Sequence, residues 1–417
     1  MGGARRLAAV VGLALAVAAV SPAAANGRFP RSVKLLFKPG DPDHVVAGMT
    51  FGVLISRDAG VTWRWVCESA IGFEGTFDPD YELSATGTIF ANTSRGLRID
   101  RDGCRWDAAA GPLGSTNVTA LAIGPDGAVW AGNSDIATGS STLYRSDDDG
   151  VTFAPTLAGA DGDEWTSIDV SPDDAQRVMV AGYRISGGGS PERVLYRSLD
   201  RGAHWDELPT TDFVATDSSE LYGVALHGET VFLRVTNIGP TIQEAIYRSP
   251  DFWTATTPTW TKVLDLQNRI TSVVVRAGGT EVLATTPSMG LHRSTDGGAT
   301  FAPVPDVLYD AWCLAERPGG ELWMCSNNLP PDNASIVVST TAAAGTWQTR
   351  LVYRTGIVGP VRCDPGTPQH DTCEAAQWCN LKDSYQLLGD EIDCVARDAG
   401  VDAGPGDGGG KSCCSTG

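Results

Sequence analysis

Acidic side chains are the residues in this sequence best suited to chemistry. Fifty Asp and Glu residues stand against 31 Lys and Arg residues. Glycoside hydrolysis uses two carboxylates, one as an acid and the other as a base or nucleophile. The candidates for such a pair are Asp78, Asp80, Glu82, Asp169 and Glu316. Because so many acidic residues make some proximity inevitable, we assign no catalytic residue from the sequence, and enzymatic activity stays open.

The sequence gives weaker evidence for a metal site or a cofactor site than for acid–base chemistry. Segments 147–150 and 161–163 offer carboxylates for calcium, but neither has the spacing of a calcium-binding loop. The five histidines have no zinc-site spacing; they are His44, His204, His227, His292 and His370. No Gly-rich phosphate loop or serine nucleophile elbow occurs. We therefore predict neither a metal site nor a cofactor.

The first 25 residues have the order of a secretory signal peptide. Arg5 and Arg6 precede an apolar run, and small residues follow it as far as Ala25. The run has about 14 residues, fewer than the roughly 20 that span a bilayer, which favours cleavage near Ala25 over an uncleaved anchor. We expect a secreted or cell-surface protein, with the periplasm as a further possibility, and an environment in which disulfides persist.

Charge and composition limit the classes of partner. A formal net charge of -19 argues against binding to nucleic acid or to an anionic membrane, since both require an excess of basic residues. The chain has 12 Trp, 9 Tyr and 11 Phe, which excludes disorder over most of its length. We expect a monomer whose partner is a protein or a glycan.

One short pattern recurs seven times. It consists of Ser, an Asp two residues later, a Gly two residues after that, and then Trp or Phe. Four copies are complete: Ser56, Asp58, Gly60 and Trp63; Ser146, Asp148, Gly150 and Phe153; Ser198, Asp200, Gly202 and Trp205; Ser294, Asp296, Gly298 and Phe301. Three are degenerate: Asp100, Asp102, Gly103 and Trp106; Ser249, Asp251 and Trp260; Ser339, Gly345 and Trp347. Successive copies begin 44 to 52 residues apart, a spacing typical of a four-stranded propeller blade.

The segments before each copy alternate strands with turns. In the third repeat, residues 118–123, 128–131 and 142–146 have the β-rich composition of strands, and 124–127 has that of a turn. No helical period separates them. We therefore predict an all-β fold, a seven-bladed β-propeller over residues 33–353, in which closure of the ring protects the strand edges.

The pattern itself predicts a structural turn. Ser and Asp side chains bond to the backbone of a tight turn, Gly accepts a positive φ, and the aromatic residue buries apolar surface between blades. Basic residues precede the Ser at one register, as repeat decoration would: Arg145, Arg197, Arg248 and Arg293.

The Ser-x-Asp-x-Gly-x-Thr-Trp element resembles the Asp-box, or BNR repeat, of sialidase-like, sortilin-like, xyloglucanase-like and photosystem assembly factor-like propellers, here of an exported bacterial type. The resemblance covers about three quarters of the chain. It implies that each element is the hairpin between the third and fourth strands of a blade and is not catalytic.

Binding is expected on the face opposite these hairpins. That face receives the irregular segments 132–141, 183–193, 236–243 and 326–334 and the links 68–80 and 206–220, and loops on a rigid scaffold commonly carry binding residues. Candidate binding residues are Tyr183, Arg184, Asn237, Asn327 and Asn328, and the segments also contain Phe73, Phe77 and Phe213. Solvated connections of uneven length are the alternative interpretation.

The ten cysteines predict up to five disulfides in an exported chain. Cys313 and Cys325 flank a turn symmetrically and are expected to pair. Cys67 and Cys104 are then paired by elimination. A Cys-rich module over residues 360–395, with a short helix, would hold Cys363, Cys373, Cys379 and Cys394 in one of three connectivities.

Residues 398–417 have the composition of a flexible tail. This tail, with Cys413 and Cys414 near its end, resembles bacterial C-terminal surface-sorting tails. The resemblance leaves open whether the protein is released, is attached through these cysteines, or has a sorting tail that is truncated here.

The leading functional hypothesis is an exported, non-enzymatic propeller that binds a protein or glycan. A secreted glycoside hydrolase of the Asp-box group is the alternative, and an assembly or maturation factor is a second alternative.

Overall fold

The computed structural model describes residues 29–389, apart from 74–76, 136–138, 186–190, 214–218, 238–241, 277 and 308, together with residues 392 and 394. The expected signal peptide over 1–25 and the expected tail over 398–417 lie outside these residues.

Strands formed from the first three repeats make three four-stranded sheets, here called blades 1 to 3. Blade 1 contains β1 (Ser32–Lys38), β2 (Asp41–Met49), β3 (Gly52–Ser56) and β4 (Trp63–Val66). Blade 2 contains β5 (Tyr81–Leu83), β6 (Ile89–Thr93), β7 (Gly96–Asp100) and β8 (Trp106–Ala108). Blade 3 contains β9 (Val118–Ile123), β10 (Val129–Asp135), β11 (Ser140–Ser146) and β12 (Ala154–Ala158).

The remaining four repeats give blades 4 to 7. Blade 4 contains β13 (Asp163–Val170), β14 (Val178–Arg184), β15 (Glu192–Ser198) and β16 (Asp206–Glu207). Blade 5 contains β17 (Ser219–His227), β18 (Thr230–Asn237), β19 (Gln243–Ser249) and β20 (Thr261–Leu266). Blade 6 contains β21 (Ser272–Val275), β22 (Val282–Thr286), β23 (Gly290–Ser294) and β24 (Ala302–Pro303). Blade 7 contains β25 (Cys313–Glu316), β26 (Leu322–Cys325), β27 (Ile336–Ser339) and β28 (Gln348–Leu351).

Each blade pairs its four consecutive strands antiparallel in chain order, so the seven-bladed all-β propeller predicted from the repeats is confirmed. The first strand of every blade lines a central channel, with residues such as Lys34, Glu82, Leu121, Ile168 and Val273. The cores lie between neighbouring blades, where apolar side chains of one sheet pack on the next; Trp130 of blade 3 and Trp165 of blade 4 belong to one such cluster.

The chain after blade 7 returns to blade 1. A short helix (Tyr353–Gly356) leads into β29 (Ile357–Pro360), which pairs parallel with β4 as a fifth strand. A π-helix (Gln369–Gln377) and an α-helix (Trp378–Ser384) follow. They pack on blade 1, where Trp378 lies 6.2 Å from Trp65 between ring centroids. The other described helices are Glu68–Ile71 and a 3₁₀ turn, Gly111–Gly114.

The disulfides correct two expectations: that Cys67 pairs with Cys104, and that the last four of the predicted disulfide cysteines pair with one another. The structure pairs Cys67 with Cys373 and Cys104 with Cys363, so the pairing of Cys67 with Cys104 is wrong. Elimination failed because it treated the last four cysteines as a self-contained module. The chain after β29 instead runs beside blades 1 and 2, bringing Cys363 and Cys373 to propeller cysteines.

The other two disulfides are local. Cys379 pairs with Cys394 inside the C-terminal segment. Cys313 pairs with Cys325 between directly opposed positions of β25 and β26, as their symmetric spacing predicts.

Candidate functional site

In the repeated Ser-x-Asp-x-Gly turns, the polar groups form hydrogen bonds with other atoms of the same turn. In blade 3, the Ser146 hydroxyl donates to Asp148 Oδ1 at 2.7 Å and accepts the Gly150 N–H at 2.9 Å. Asp148 also accepts the amide and hydroxyl of Thr152 at 2.8 and 2.7 Å. The same Ser–Asp and Gly–Ser bonds occur in the turns of blades 1, 4 and 6.

These bonds keep the turn carboxylates ionised. Hydrogen bonds from the Thr152 hydroxyl and amide lower the pKa of Asp148 to about 2. The backbone N–H of His204 and then its ring lower the pKa of Asp200 to about 2. Because the turns already use these groups, they leave little acceptor capacity for a ligand.

The turn glycines also fix the spacing between blades. Gly60, Gly150 and Gly202 have φ near +80°, and each packs against an aromatic ring on the second strand of the preceding blade. A Cβ at these three glycines would lie 2.6 Å from Trp323, 2.5 Å from Phe90 and 2.7 Å from Trp130, respectively. Gly298 packs on Phe232 in the same way.

The basic residues before the turns lock neighbouring turns together. Arg145 Nη1 donates to the carbonyl of Arg201 at 2.6 Å, in the turn of the next blade. Arg248 Nε donates to the carbonyl of Gly297 at 2.9 Å, again one blade on. Arg197 reaches the carbonyl of Ala255 at 2.8 Å. Three of the four arginines thus link neighbouring blades of the propeller. Arg293 instead pairs with Glu281 of its own blade.

In the degenerate turns of blades 2 and 5, other residues form the hydrogen bonds that hold the complete turns together. In blade 2, Asp100 replaces the Ser and accepts the Gly103 N–H at 2.9 Å, while Asp102 accepts the amide of Cys104 at 2.7 Å. Burial, together with neighbouring Asp102, raises the pKa of Asp100 to about 7. In blade 5, Asp251 accepts from Ser249 at 2.9 Å and from Thr259, eight residues on.

The two faces of the ring therefore differ. Since strands alternate in direction, the turns after the first and third strands of each blade lie on one face, called here the turn face. The other loops lie on the opposite face, called here the cleft face. A cleft of about 700 Å³ opens on the cleft face above blades 2 to 5. It shares Thr119, Thr166 and Tyr222 with the wall of the central channel, so it forms part of the channel mouth.

Aromatic rings and carboxylates line this cleft. The rings are those of Phe73, Phe77, Trp165, Tyr183 and Tyr222, and the carboxylates are those of Asp78, Glu164 and Glu220. Amides and hydroxyls of Asn92, Thr93, Ser94, Asn117, Thr119 and Thr166 complete the polar lining. No Lys, Arg or His is among the described lining residues. Phe73 and Trp165 are buried, so the cleft offers the exposed ring of Phe77 and the partly exposed rings of Tyr183 and Tyr222 together with hydrogen-bond acceptors.

The charges of the cleft influence its tyrosines. Burial, and then the carboxylates of Glu164 and Glu220, raise the pKa of Tyr183. The Tyr222 hydroxyl donates to Glu220 Oε2, and burial with that bond raises the pKa of Tyr222 well above its usual value. Both phenols therefore stay protonated at neutral pH. The Tyr222 proton is already donated to Glu220, so of the two only Tyr183 has a proton for a ligand.

The link between blades 1 and 2 supplies one wall of the cleft. Cys67 ends blade 1, the helix Glu68–Ile71 follows, and Gly72 turns the chain with φ of 87° towards Phe73. The C-terminal segment supports this link through the Cys67–Cys373 disulfide and a 3.0 Å bond from Gln377 Nε2 to Ser69 Oγ. The C-terminal segment therefore helps to position the cleft.

A second group of charged residues lies in the channel. Lys34 Nζ lies 2.9 Å from Asp80 Oδ1 and 3.4 Å from Glu82 Oε1. Burial opposes the Lys34 charge, but these carboxylates outweigh it and raise the pKa of Lys34 above its usual value. Burial raises the pKa of Glu82 to about 7, although Lys34 lowers it. Burial likewise raises the pKa of Asp169 to about 6, against the Ser167 hydroxyl and Lys34.

The structure places the five candidate carboxylates in three different locations. Asp80, Glu82 and Asp169 line one channel, and Asp78 lies in the cleft. Glu316 is elsewhere, paired with Arg276 at 3.3 Å. Within the described residues no three His, Cys, Asp or Glu side chains are placed to hold a metal ion.

Of the candidate binding residues, Tyr183 lines the cleft. Arg184 instead binds buried Asp163 at 2.6 Å and Glu207 at 3.0 Å. Asn327 donates to Asp310 at 3.4 Å, and Asn328 accepts the Tyr353 amide at 3.1 Å, so these groups bind other parts of the protein. Asn237 ends β18, opposite Gln243 in the ladder, and its side chain lies outside the described residues.

Sequence reasoning missed half of the eight ring and carboxylate residues that line the cleft. It identified Phe73, Phe77, Asp78 and Tyr183, whereas Phe213 is buried at 2% exposure in the core. The missed residues, Glu164, Trp165, Glu220 and Tyr222, lie near the starts of inner strands. The signal available was position: in a propeller the first residues of each inner strand face the channel mouth.

Comparisons with known proteins bear on the fold. No family model and no curated protein matches this chain. Among solved structures, an extracellular domain of a hybrid two-component system from B. thetaiotaomicron matches with a TM-score of 0.52 and 13% identity, over 74% of this chain and 38% of that one. PorZ, a surface component of the type-IX secretion system of Porphyromonas gingivalis, matches with a TM-score of 0.51 and 16% identity, over 75% of this chain and 46% of PorZ.

A third match is the GH74 xyloglucanase from Xanthomonas campestris, with a TM-score of 0.43 and 16% identity, over 76% of this chain and 58% of the enzyme. This similarity is too low to bear on activity. The chain spans less than half the length of the first two structures, and at these identities they show a shared propeller fold alone. No helix in the described part of the chain is long and apolar enough to cross a bilayer.

Proposed function

We propose that this protein is an exported, non-enzymatic propeller of the Asp-box type that binds a protein or a glycan through its cleft face. The observation that carries the proposal is the cleft of about 700 Å³ at the channel mouth, which combines five aromatic residues with three carboxylates. A rigid concave site with a few polar groups among rings is typical of ligand binding. The turn carboxylates, in contrast, serve the fold.

Export has independent support. Four disulfides form among the residues that the structure describes, two of them joining positions 306 and 259 residues apart. Disulfides that hold the ends of a domain together persist in oxidising compartments. The expected signal peptide agrees with this location.

A glycan array and a phage-displayed peptide library, both probed with the mature protein, test the proposed function. We expect hits that are lost in Phe77→Ala and Tyr183→Ala and retained in Asp148→Asn, a variant of the turn face. Hits that depend on Asp148 and ignore Phe77 and Tyr183 would contradict the proposal, as would repeated failure of folded protein to bind either set.

A glycoside hydrolase is the second candidate, and one observation favours it. Asp169 and Glu82 share the channel, and burial raises the pKa of both, a property that general acids require. Lys34, however, lies against Glu82. Assays on fluorogenic glycosides, with Glu82→Gln as the control variant, test this candidate, and turnover that the variant abolishes would support it over the binding scaffold.

A further inference from the structure

We propose that Arg95 and Arg98, on the cleft face of blade 2, bind a carboxylate of a protein partner, the side chain of an Asp or Glu residue. This inference rests on the proposed function, because it names the class of partner for the same face. Three observations support it: these arginines form no ion pair, the protein holds one of them in place, and apolar side chains are exposed elsewhere on the cleft face.

Arg95 and Arg98 lack the carboxylate partners that other arginines of this protein have. Arg201, for example, lies 2.6 Å from Asp126. Within the described part of the chain neither Arg95 nor Arg98 forms an ion pair, although the sequence contains 50 acidic residues. Burial, and then the charge of Arg95, lower the pKa of Arg98. The two guanidinium groups are therefore close enough to repel each other, and an anion bound by both would relieve that repulsion.

The Arg98 guanidinium is held at the cleft face. Its Nη2 donates to the carbonyl of Arg95 at 3.0 Å, in the turn between β6 and β7. Its Nη1 donates to the carbonyl of Gly114 at 3.4 Å, in the link between blades 2 and 3. Arg98 thus uses two of the five N–H groups of a guanidinium, and the remaining groups have no acceptor among the described residues.

Glycines surround this side chain. A Cβ at Gly96 would overlap with the carbonyl of Gly114, so the turn that carries Arg95 packs directly on the backbone of the next link. A Cβ at Gly72, in the link from blade 1, would lie 3.2 Å from Arg98 Nε. Arg98 is half-buried between these loops, and Arg95 is exposed. A guanidinium fixed before binding loses less entropy on binding, and its planar fork suits a carboxylate.

Exposed apolar side chains on the same face favour a protein partner. The second hairpins of blades 4 to 7 each carry one, and their exposed fractions are 47, 42, 43 and 43%: Ile185, Ile242, Met289 and Leu329. None of them belongs to the repeated turns. Apolar side chains at one position of four consecutive blades suit the apolar side chains of a protein, whereas a glycan presents mainly hydroxyl groups.

The net charge of -19 makes such a site easy to distinguish from general attraction. The protein as a whole repels an acidic ligand, so binding of that ligand requires a local basic site. Charges more than about 8 Å away are largely screened at physiological salt, which lets two neighbouring arginines dominate at short range.

Three labelled probes test the inference on the mature protein by fluorescence anisotropy at physiological salt. They are a hexapeptide that alternates Leu with Glu, the same peptide with Gln in place of Glu, and an oligomer of six galacturonic acids, which has carboxylates without apolar side chains. The test variant is Arg95→Gln with Arg98→Gln. Its matched control is Arg101→Gln with Arg105→Gln, which removes two exposed arginines from the turn face of the same blade. Circular dichroism verifies folding.

We expect the Leu-Glu peptide to bind about tenfold more tightly than the Leu-Gln peptide and more tightly than the galacturonic acid oligomer. Its affinity should fall about tenfold in the test variant and less than about twofold in the control. Because Arg98 also bonds two loops, Arg95→Gln alone serves as a second variant; the Arg95 side chain makes no bond within the described chain, so this variant should fold normally and still lose about threefold in affinity.

Equal weakening in the test variant and the control would overturn the inference, as would failure of the folded protein to bind the Leu-Glu peptide. Equal or tighter binding of the galacturonic acid oligomer, dependent on Arg95 and Arg98, would overturn the protein partner. If glycan-array or peptide-library hits depend on Phe77 and Tyr183 but not on the two arginines, the inference is wrong and the proposed function stands.

Discussion

The two faces of the ring use the same kinds of residue for different purposes. On the turn face, Asp148 and its counterparts accept bonds from their own turns, and this arrangement repeats from blade to blade. On the cleft face, carboxylates and rings from several blades line a cleft above blades 2 to 5. Repetition indicates a part in holding the blades together, whereas the side chains that line this cleft do not belong to the repeated pattern and indicate a site. The predictions below test this contrast.

The largest effect should come from the disulfide that supports the cleft face. Replacing Cys67 and Cys373 together with Ser removes a link between residues 306 positions apart, while the nested Cys104–Cys363 disulfide still closes most of that loop. We therefore expect the free energy of unfolding to fall by about 3–4 kcal/mol. Replacing Cys313 and Cys325, 12 residues apart, should cost less, about 2–3 kcal/mol. Urea unfolding of the oxidised proteins measures both. Equal losses would show that loop closure is not what this disulfide contributes.

Substitution of glycines on the turn face should lower the free energy of unfolding. Gly150 and Gly127 belong to blade 3 and have φ of +78° and +84°, but they differ in surroundings: a Cβ at Gly150 would lie 2.5 Å from the Phe90 ring, whereas one at Gly127 would meet no atom within 4 Å. Gly150→Ala should cost about 2–4 kcal/mol, because it adds overlap to backbone strain, and Gly127→Ala about 1 kcal/mol from strain alone. Thermal unfolding compares the two. A matching cost would mean that the packing of the turn on Phe90 contributes nothing.

Ionisation of a buried channel carboxylate, Asp169, should lower the free energy of unfolding as pH rises. Burial raises the pKa of Asp169 to about 6 from an ordinary value of 3.8. Its contribution to stability is therefore complete below pH 3.8 and is lost as pH rises through 6. Relative to Asp169→Asn, the wild type should lose of the order of 1–2 kcal/mol between pH 4 and pH 7. Urea unfolding at both pH values measures this, and a constant difference would contradict the burial of this charge.

The turn carboxylates should have the opposite pH dependence. Hydrogen bonds lower the pKa of Asp148 to about 2 from 3.8. Its contribution is complete above pH 3.8 and is lost as pH falls through 2. The stability advantage of the wild type over Asp148→Asn should therefore shrink between pH 4 and pH 2, as acid-unfolding curves will record. An advantage that grows towards low pH would reverse the assignment of this turn.

The smallest change in stability should accompany the largest change in binding. Phe77 is 87% exposed, so Phe77→Ala should alter the free energy of unfolding by less than about 0.5 kcal/mol. The same variant should abolish the ligand binding described above. A marked loss of stability would mean that Phe77 belongs to the fold and not to a recognition surface.

Much of the fold could be predicted because its signals are local. The strand predicted over 118–123 is β9, Val118–Ile123, and the third strand predicted over 142–146 lies within β11, Ser140–Ser146. Alternating apolar residues and a turn with Gly specify such a hairpin without reference to distant residues. Even the shortened turn of blade 2 works, because Asp100 bonds Gly103 where other blades use Ser.

The disulfides and the cleft could not be predicted in the same way. Whether Cys104 bonds Cys67 or Cys363 depends on the edge to which the last strand returns, and β29 pairs with β4 across nearly 300 residues. Glu164 and Glu220 each lie at the second position of an inner strand and look locally like ordinary strand residues. They become cleft residues only because neighbouring blades bring their ends to one mouth.

The sequence by itself therefore determined the blades, their number and their turns, because hydrogen bonding and packing within a repeat depend on residues a few positions apart. Only the tertiary structure decided which cysteines join and which carboxylates and rings share a cleft. Those contacts link residues far apart in the chain, and the closing of the ring brings them together.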